Sequence, residues 1–487
     1  MKKQIIIIGI IILGLVSSCD KFDVSNENPD VALSISKNPE LLLTNLQRNS
    51  IRRVVGDAWS EGNLMGQYGA RIVFTSFDLF DWGDQGGTWD THYLAIRDAK
   101  ELQKIAMESE LPSYEAVSLI MQTWMFSILT DMYGDIPYSE VNQAVDEEPN
   151  YTPVYDTQQA IYADMLVQLE LANTILSGAD LGVIKGDLLF GGDLAMWRKF
   201  ANSLRLRIAL RLSEVDASTS QSVIAGIFNN SSSNPVMESN DDNAVLQFLA
   251  ANPDAHPVTE ESVYRVGSYN EYRISEHFVQ LLQSFDDPRL DFFADPTANS
   301  VENGTPEIQG MQNGIVDGPA YEYKGGDAFL SKFNINYFYF QPNSNQARLM
   351  QYAEVAFIFA EAAERGWITA NAQEYYEMGI QANFDYWDVT MPVDYFTRTE
   401  VAYDGTLETI MKQKYVALFY TDYQGFIEFK RTGFPNTIAP GPDAFYDEYP
   451  SRFEYPSEEE SLNNANYTEA VQRIGGDQIT TKVWWEN

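Results

Sequence analysis

The chain has 487 residues, of which 45% are apolar, so it is long enough to bury a large core and is not compositionally disordered. Its formal net charge of −38 repels phosphate backbones and anionic lipid, which argues against nucleic-acid binding and against electrostatic membrane docking. A single cysteine, Cys19, excludes a disulfide and a thiolate zinc site, and three scattered histidines (His92, His256, His277) make no metal constellation.

Lys2 and Lys3 precede an apolar run from Ile5 to Val16, followed by Ser17, Ser18 and Cys19. The run is shorter than the ~20 residues a membrane span needs, and it has the layout of a secretory signal peptide. Val16-Ser17-Ser18-Cys19 resembles a bacterial lipobox, in which the cysteine becomes the first residue and carries acyl chains; two or more chains give stable anchoring. The reading is therefore a signal peptide over 1–18, lipidated Cys19 with a polar tether over 19–37, and a globular region over 38–487.

Apolar spacing predicts a helix over 38–56 (Leu42, Leu43, Leu46, Ile51, Val54). From Gly62 to Gly87 aromatic residues mix with aspartates and a glycine pair, a loop composition. Helices follow over about 88–108 and 113–133, the second capped by Ser113 and stopped by Gly134 and Pro137. Asp156 and Asp193 are expected to cap two more, the latter carrying Trp197, Phe200, Leu204 and Ile208 on one face. Residues 214–260 read as loops with short elements, and 294–345 as a long irregular stretch, so that 214–345 is expected to be an inserted loop subdomain. A helix around 275–284 interrupts it. Gln346 to Trp367 is read as one helix with a small-residue face, partnered by helices at about 371–387 and 406–420; beyond Phe434 the chain reads as irregular. Paired helices of this length point to tetratricopeptide-like units of irregular period. Arg205, Arg207 and Arg211 on an apolar helix require carboxylate partners such as Glu354 or Glu361.

Eight stretches in order resemble the SusD/RagB family of nutrient-binding outer-membrane lipoproteins of Bacteroidota. They are Asp131-Met-Tyr-Gly-Asp-Ile-Pro-Tyr138, Tyr155 to Tyr162, Asp187 to Arg207, Asp287-Pro-Arg-Leu290, Glu354 with Ala360 to Gly366, Lys430 to Pro435, Arg452 with Tyr455-Pro456, and Thr480 to Trp485. The resemblance implies a mostly α fold of four tetratricopeptide-like helix pairs with long loop insertions. It also implies binding without catalysis, location at the outer membrane facing outward, and a partner: a SusC-like TonB-dependent transporter over which the chain sits as a lid. The expected ligand is an oligosaccharide, glycan or peptide, with no cofactor.

The motif residues read as architecture: glycine turns, aspartate caps, proline stops. Ligand candidates lie instead where aromatic faces, short acids and flexible glycine coincide, because sugar rings offer C–H faces and hydroxyls that need both donors and acceptors. Phe77, Asp78, Phe80, Asp81 and Trp82 lead, against the alternative that these rings pack the loop onto the body. Tyr269, Asn270 and Tyr272, Tyr321 and Tyr323, and Asn334, Asn336 and Tyr337 follow. No nucleophile or metalloprotease motif is present, and with 70 carboxylates a glycosidase dyad is not readable. The rival readings are a periplasm-facing helical scaffold and a surface hydrolase.

Overall fold

The computed structural model describes residues 38–145, 148–249, 254–256, 268–334 and 345–486. Cys19, the leader, Asn336 and Tyr337 lie outside them. The fold is mostly helical. Its first helix, α1 (Pro39–Asp57), starts on Pro39, with the Asn38 side chain accepting from the Leu41 N–H. It packs on α2 (Gly86–Glu108), which packs on α3 (Pro112–Tyr133).

Helix α3 is the centre of the first half. Every residue from Ser113 to Tyr133 is buried except Glu115, as expected for a helix that is apolar all round. Ser113 lies inside the helix and does not cap it; Leu111 stands at the cap position without a side-chain bond. Gly134, at φ +85°, ends it as the spacing predicts. The next helix, α4 (Gln158–Leu176), is capped by Thr157 rather than Asp156. Asp156 instead accepts from the backbone of Tyr138 and Ser139, one step beyond the short pairing of β2 (Ile136–Pro137) with β3 (Tyr155–Asp156). Helix α5 (Leu194–Arg211) is capped by Asp193, whose carboxylate accepts from the Ala195 and Met196 N–H groups.

Several helices escaped the sequence reading, among them Asn464–Ile474 in the stretch beyond Phe434 that reads as irregular. Ala217–Asn229 (α6) buries only Ser220, Ile224 and Ile227, a stripe too narrow to stand out in a Ser/Thr-rich run. Gln424–Thr432 (α11, below) is charged and short. Conversely, Gln346–Met350 is a strand, β6, antiparallel to β4 (Ala244–Gln247), and the helix begins only at Tyr352. The expected 346–367 helix therefore divides: the strand supplies Arg348 to the interior and α8 (Tyr352–Glu364) carries the small-residue face. Between them in the chain, β5 (Tyr272–Ile274) pairs with β1 (Gly69–Arg71), and α7 spans Glu276–Ser284.

In the second half α8 packs on α9 (Ala372–Trp387) and α10 (Leu407–Ala417), which leads to α11 (Gln424–Thr432). Gly379 of α9 lies flat on the Phe357 ring; a Cβ there would sit 2.8 Å from a ring carbon. Helix α12 (Asn464–Ile474) lies near the end of a chain segment otherwise short of regular structure.

Buried charges knit the two halves. Arg207 of α5 binds Glu354 of α8 through two bonds of 2.7 and 2.5 Å. Glu428 of α11 accepts from Arg211 (2.6 Å), Lys414 (2.7 Å) and Arg431 (2.7 Å), while Arg431 also grips Glu361. Burial alone raises the pKa of Glu428, but Arg431, Lys414 and Arg211 together hold it well below the usual carboxylate range. Arg205 instead reaches the largely exposed Glu170. Trp124 and Trp197 are fully buried core rings, and Trp484 is half-buried. Asp287 is consumed by Arg289 at 2.6 Å and by the Tyr395 hydroxyl, and no group of three potential metal ligands occurs among the described residues. Among those residues no helix is long and apolar enough to cross a membrane.

Candidate functional site

Three loop segments meet above the β1–β5 pair. The first, 72–85, leaves β1. The second, 311–330, is fastened by a small satellite core in which Ala70 and Ile72 pack with Met311, Ile315, Ala320 and Leu330. The third, 439–448, arrives from α11.

Their contacts are specific. Asp78 is buried and accepts from the Arg71 N–H (2.7 Å) and from Asn313 Nδ2 (2.8 Å), which also donates to the Gly69 carbonyl. Burial raises the Asp78 pKa to about 6, against the pull of those two donors. Asp317 accepts from the Thr75 N–H (3.0 Å), and Asp443 from the Val316 N–H (3.0 Å). The Phe445 N–H donates to the Leu79 carbonyl, and the Asp443 N–H to that of Gly314. Gly314 and Gly441 touch through their backbones: a Cβ on Gly441 would fall 2.1 Å from the Asn313 carbonyl oxygen. Here glycine is required by proximity.

With Asp78, Asp317 and Asp443 committed to backbone donors, the surface turns aromatic rings outward. Phe74 is 62% exposed and Phe445 61%, with Tyr321 and Tyr446 also exposed. Phe74 sits in the left-handed region (φ +55°), an uncommon place for a bulky residue, with its carbonyl accepting from Arg71 Nη1. Strained backbone that is held by its surroundings is a feature of ligand-facing loops.

The sequence candidates divide between this surface and what supports it. Trp82 (4% exposed) packs edge-on against Phe426 and Phe453, and Phe80 against Tyr449, bolting the loop to the body. Half-buried Phe77 stacks on Trp82 at 5.4 Å. Asp81 is exposed. Tyr321 joins the face; Tyr323 is half-buried against the satellite core, its hydroxyl donating to Glu276. Tyr269 and Tyr272 are buried one layer beneath, around Trp59, with Arg71 over the Tyr272 ring at 4.7 Å. Asn270 is exposed, and Asn334 donates its N–H to the Phe293 carbonyl. Phe445 and Tyr446 were missed. They carry the same cue as residues 74–89, aromatics set in a Gly-Pro-Asp run, but sit in a stretch read only as irregular.

A family described as "Starch-binding associating with outer membrane", SusD-like, matches residues 31–456. The chain belongs to the SusD-like family. Members are binding proteins, and the family description associates them with the outer membrane and with starch. None of the curated proteins matches this sequence. Among solved structures it is similar to a chitin-binding protein, at 27% identity and TM-score 0.79, covering 92% of this chain and 100% of that one. A SusD homologue of Bacteroides fragilis is similar at 29% identity and TM-score 0.79, over 92% and 99% of the two chains. A chitin-binding SusD homologue from Flavobacterium johnsoniae, at 23% identity and TM-score 0.76 over 92% and 98%, shares the fold. The expected mostly α, tetratricopeptide-like architecture with loop insertions is thus the one observed.

Proposed function

We propose that this SusD-like chain captures an oligosaccharide on the surface built by segments 72–85, 311–330 and 439–448, and delivers it to a SusC-like TonB-dependent transporter. The observation that carries the proposal is the set of exposed rings, Phe74, Tyr321, Phe445 and Tyr446, on loops tied together by Asp78, Asn313 and the Gly314–Gly441 contact. Rigid aromatic faces meet sugar C–H surfaces at low ordering cost, and exposed acids such as Asp81 serve the hydroxyls. The starch description of the family and the chitin-binding names of two similar structures favour glycans over peptides as ligand.

Capture here is non-catalytic. Asp78, Asp317 and Asp443 are already committed to backbone N–H groups, which suits positioning rather than proton transfer. Modest affinity suffices when the site is held beside a transporter, because proximity supplies effective concentration. Acylation of Cys19 and an outward-facing lid complete the proposal. Calorimetric titration with starch-derived and chitin-derived oligosaccharides tests the binding; heat from one series supports it, and silence with both refutes glycan capture. Palmitate labelling of cells carrying Cys19→Ala tests the anchor, with label lost in the variant.

A further inference from the structure

A cavity lies among the helix pairs, and none of its lining residues belongs to the three loop segments. It holds about 430 Å³, within the ~300–1,000 Å³ range of small-molecule sites, and is walled by α2, α3, α4 and the Tyr138–Ser139 turn. Its lining mixes polar side chains with Leu119, Phe126 and Ile161. Lys100 of α2 points an amine with no hydrogen bond or ion pair among the described residues, beside Gln103, Gln122 of α3, and Asp164 and Gln168 of α4.

Several polar groups of this cavity are already paired. Asp164 already accepts from the Tyr138 hydroxyl (2.6 Å) and from Gln168 Nε2 (3.1 Å). Asp156 accepts from the Ser139 N–H (2.8 Å) and hydroxyl (2.9 Å). Gln103 Oε1 accepts from Gln122 Nε2 (3.0 Å). What remains includes the Lys100 ammonium, the Gln103 amide N–H₂ and the carbonyl oxygens of Gln122 and Gln168, donors and acceptors both, set on rigid helices. Phe126 and Tyr138, with ring centroids 4.5 Å apart, supply an aromatic wall. One cation faces two carboxylates, so the charge balance disfavours an anion. A neutral polyhydroxylated ring accepts from Lys100 and Gln103, donates to Gln122, and lays its C–H face on the wall.

We propose that this α2–α3–α4 groove is a second binding site, for a single neutral sugar unit, with Lys100, Gln103 and Gln122 as its polar contacts. It is independent of the loop surface. Desolvation, only partly opposed by Asp164, lowers the Lys100 pKa and leaves its amine open to acylating reagents.

That reactivity provides the test. The full-length protein is trace-acetylated with and without glucose, galactose, mannose, N-acetylglucosamine or their disaccharides, and labelling is read by mass spectrometry at Lys100 and at exposed Lys104. We expect at least one sugar to cut Lys100 labelling by about threefold or more at saturation, with Lys104 unchanged. Gln122→Leu and, as a milder variant on the groove's outer wall, Gln103→Ala should abolish that protection, with circular dichroism confirming the fold. Protection should persist in Phe74→Ala/Phe445→Ala, so failure at the loop surface and failure here are separable. The proposal is overturned if no sugar of the panel protects Lys100, if acetate or phosphate protects it and sugars do not, or if protection survives both glutamine substitutions.

Discussion

The interior between α5, α8 and α11 and the loop surface above β1 both have polar groups to satisfy, and they do so in opposite ways. Inside, charge meets charge: Glu428 and Glu361 share three arginines and a lysine. On the surface, carboxylates meet backbone N–H groups instead, and the rings are left to water. The first arrangement locks helix to helix and leaves nothing for a ligand. The second ties the loops to one another while keeping the Phe74 and Phe445 faces free. Stability and recognition are therefore carried by different residues, and substitutions should separate them.

The largest effect is expected from Glu428→Ala, which strands Arg211, Lys414 and Arg431 beside a lost carboxylate. Breaking such a buried cluster costs about 3–5 kcal/mol, to be read from denaturant unfolding. Oligosaccharide affinity of the folded fraction should not change. Gly441→Ala should cost less, about 1–3 kcal/mol, because its Cβ meets the Asn313 backbone; unlike Glu428→Ala it should also weaken binding, by displacing Phe445. Phe74→Ala/Phe445→Ala inverts the pattern: roughly tenfold weaker glycan binding, about 1.4 kcal/mol, with an unaltered melting curve, since both rings are exposed.

The smallest effect concerns pH. Burial raises Asp78 to about 6 and Asp422 to about 7, above the ~3.9 of an unfolded aspartate. The folded state then binds protons that the unfolded state does not, so these groups lose stability as pH rises from about 4 to 7. Glu428, held low, works in the other direction and loses its contribution only as pH falls below about 4.5. Raising the pH from 5 to 8 should accordingly cost Asp78→Asn/Asp422→Asn less stability than it costs the natural protein, read as the two Tm differences.

Much of the helical frame was legible because its signals are local. Gly134 and Asp193 bound helices through backbone chemistry that does not depend on distant partners. The Arg207–Glu354 pair was legible too, since a charge on an apolar face demands a carboxylate. Strand β6 was not: Gln346–Met350 continues an apolar pattern into α8, and only pairing with β4, about a hundred residues away, makes it extended. The loop surface was half legible. Composition drew attention to residues 74–89, yet which rings face outward depends on Tyr449, Phe426 and Phe453, whose proximity no local pattern announces. Those contacts bury Phe80 and Trp82 and leave Phe74 and Phe445 exposed.

The most direct measurement is electrophoretic mobility through native gels cast with and without soluble starch or a soluble chitin derivative. The account predicts that the natural protein is retarded by at least one polymer and that Phe74→Ala/Phe445→Ala runs there as it does in a plain gel. Equal retardation of the two proteins, or none of the natural one by either polymer, would contradict it.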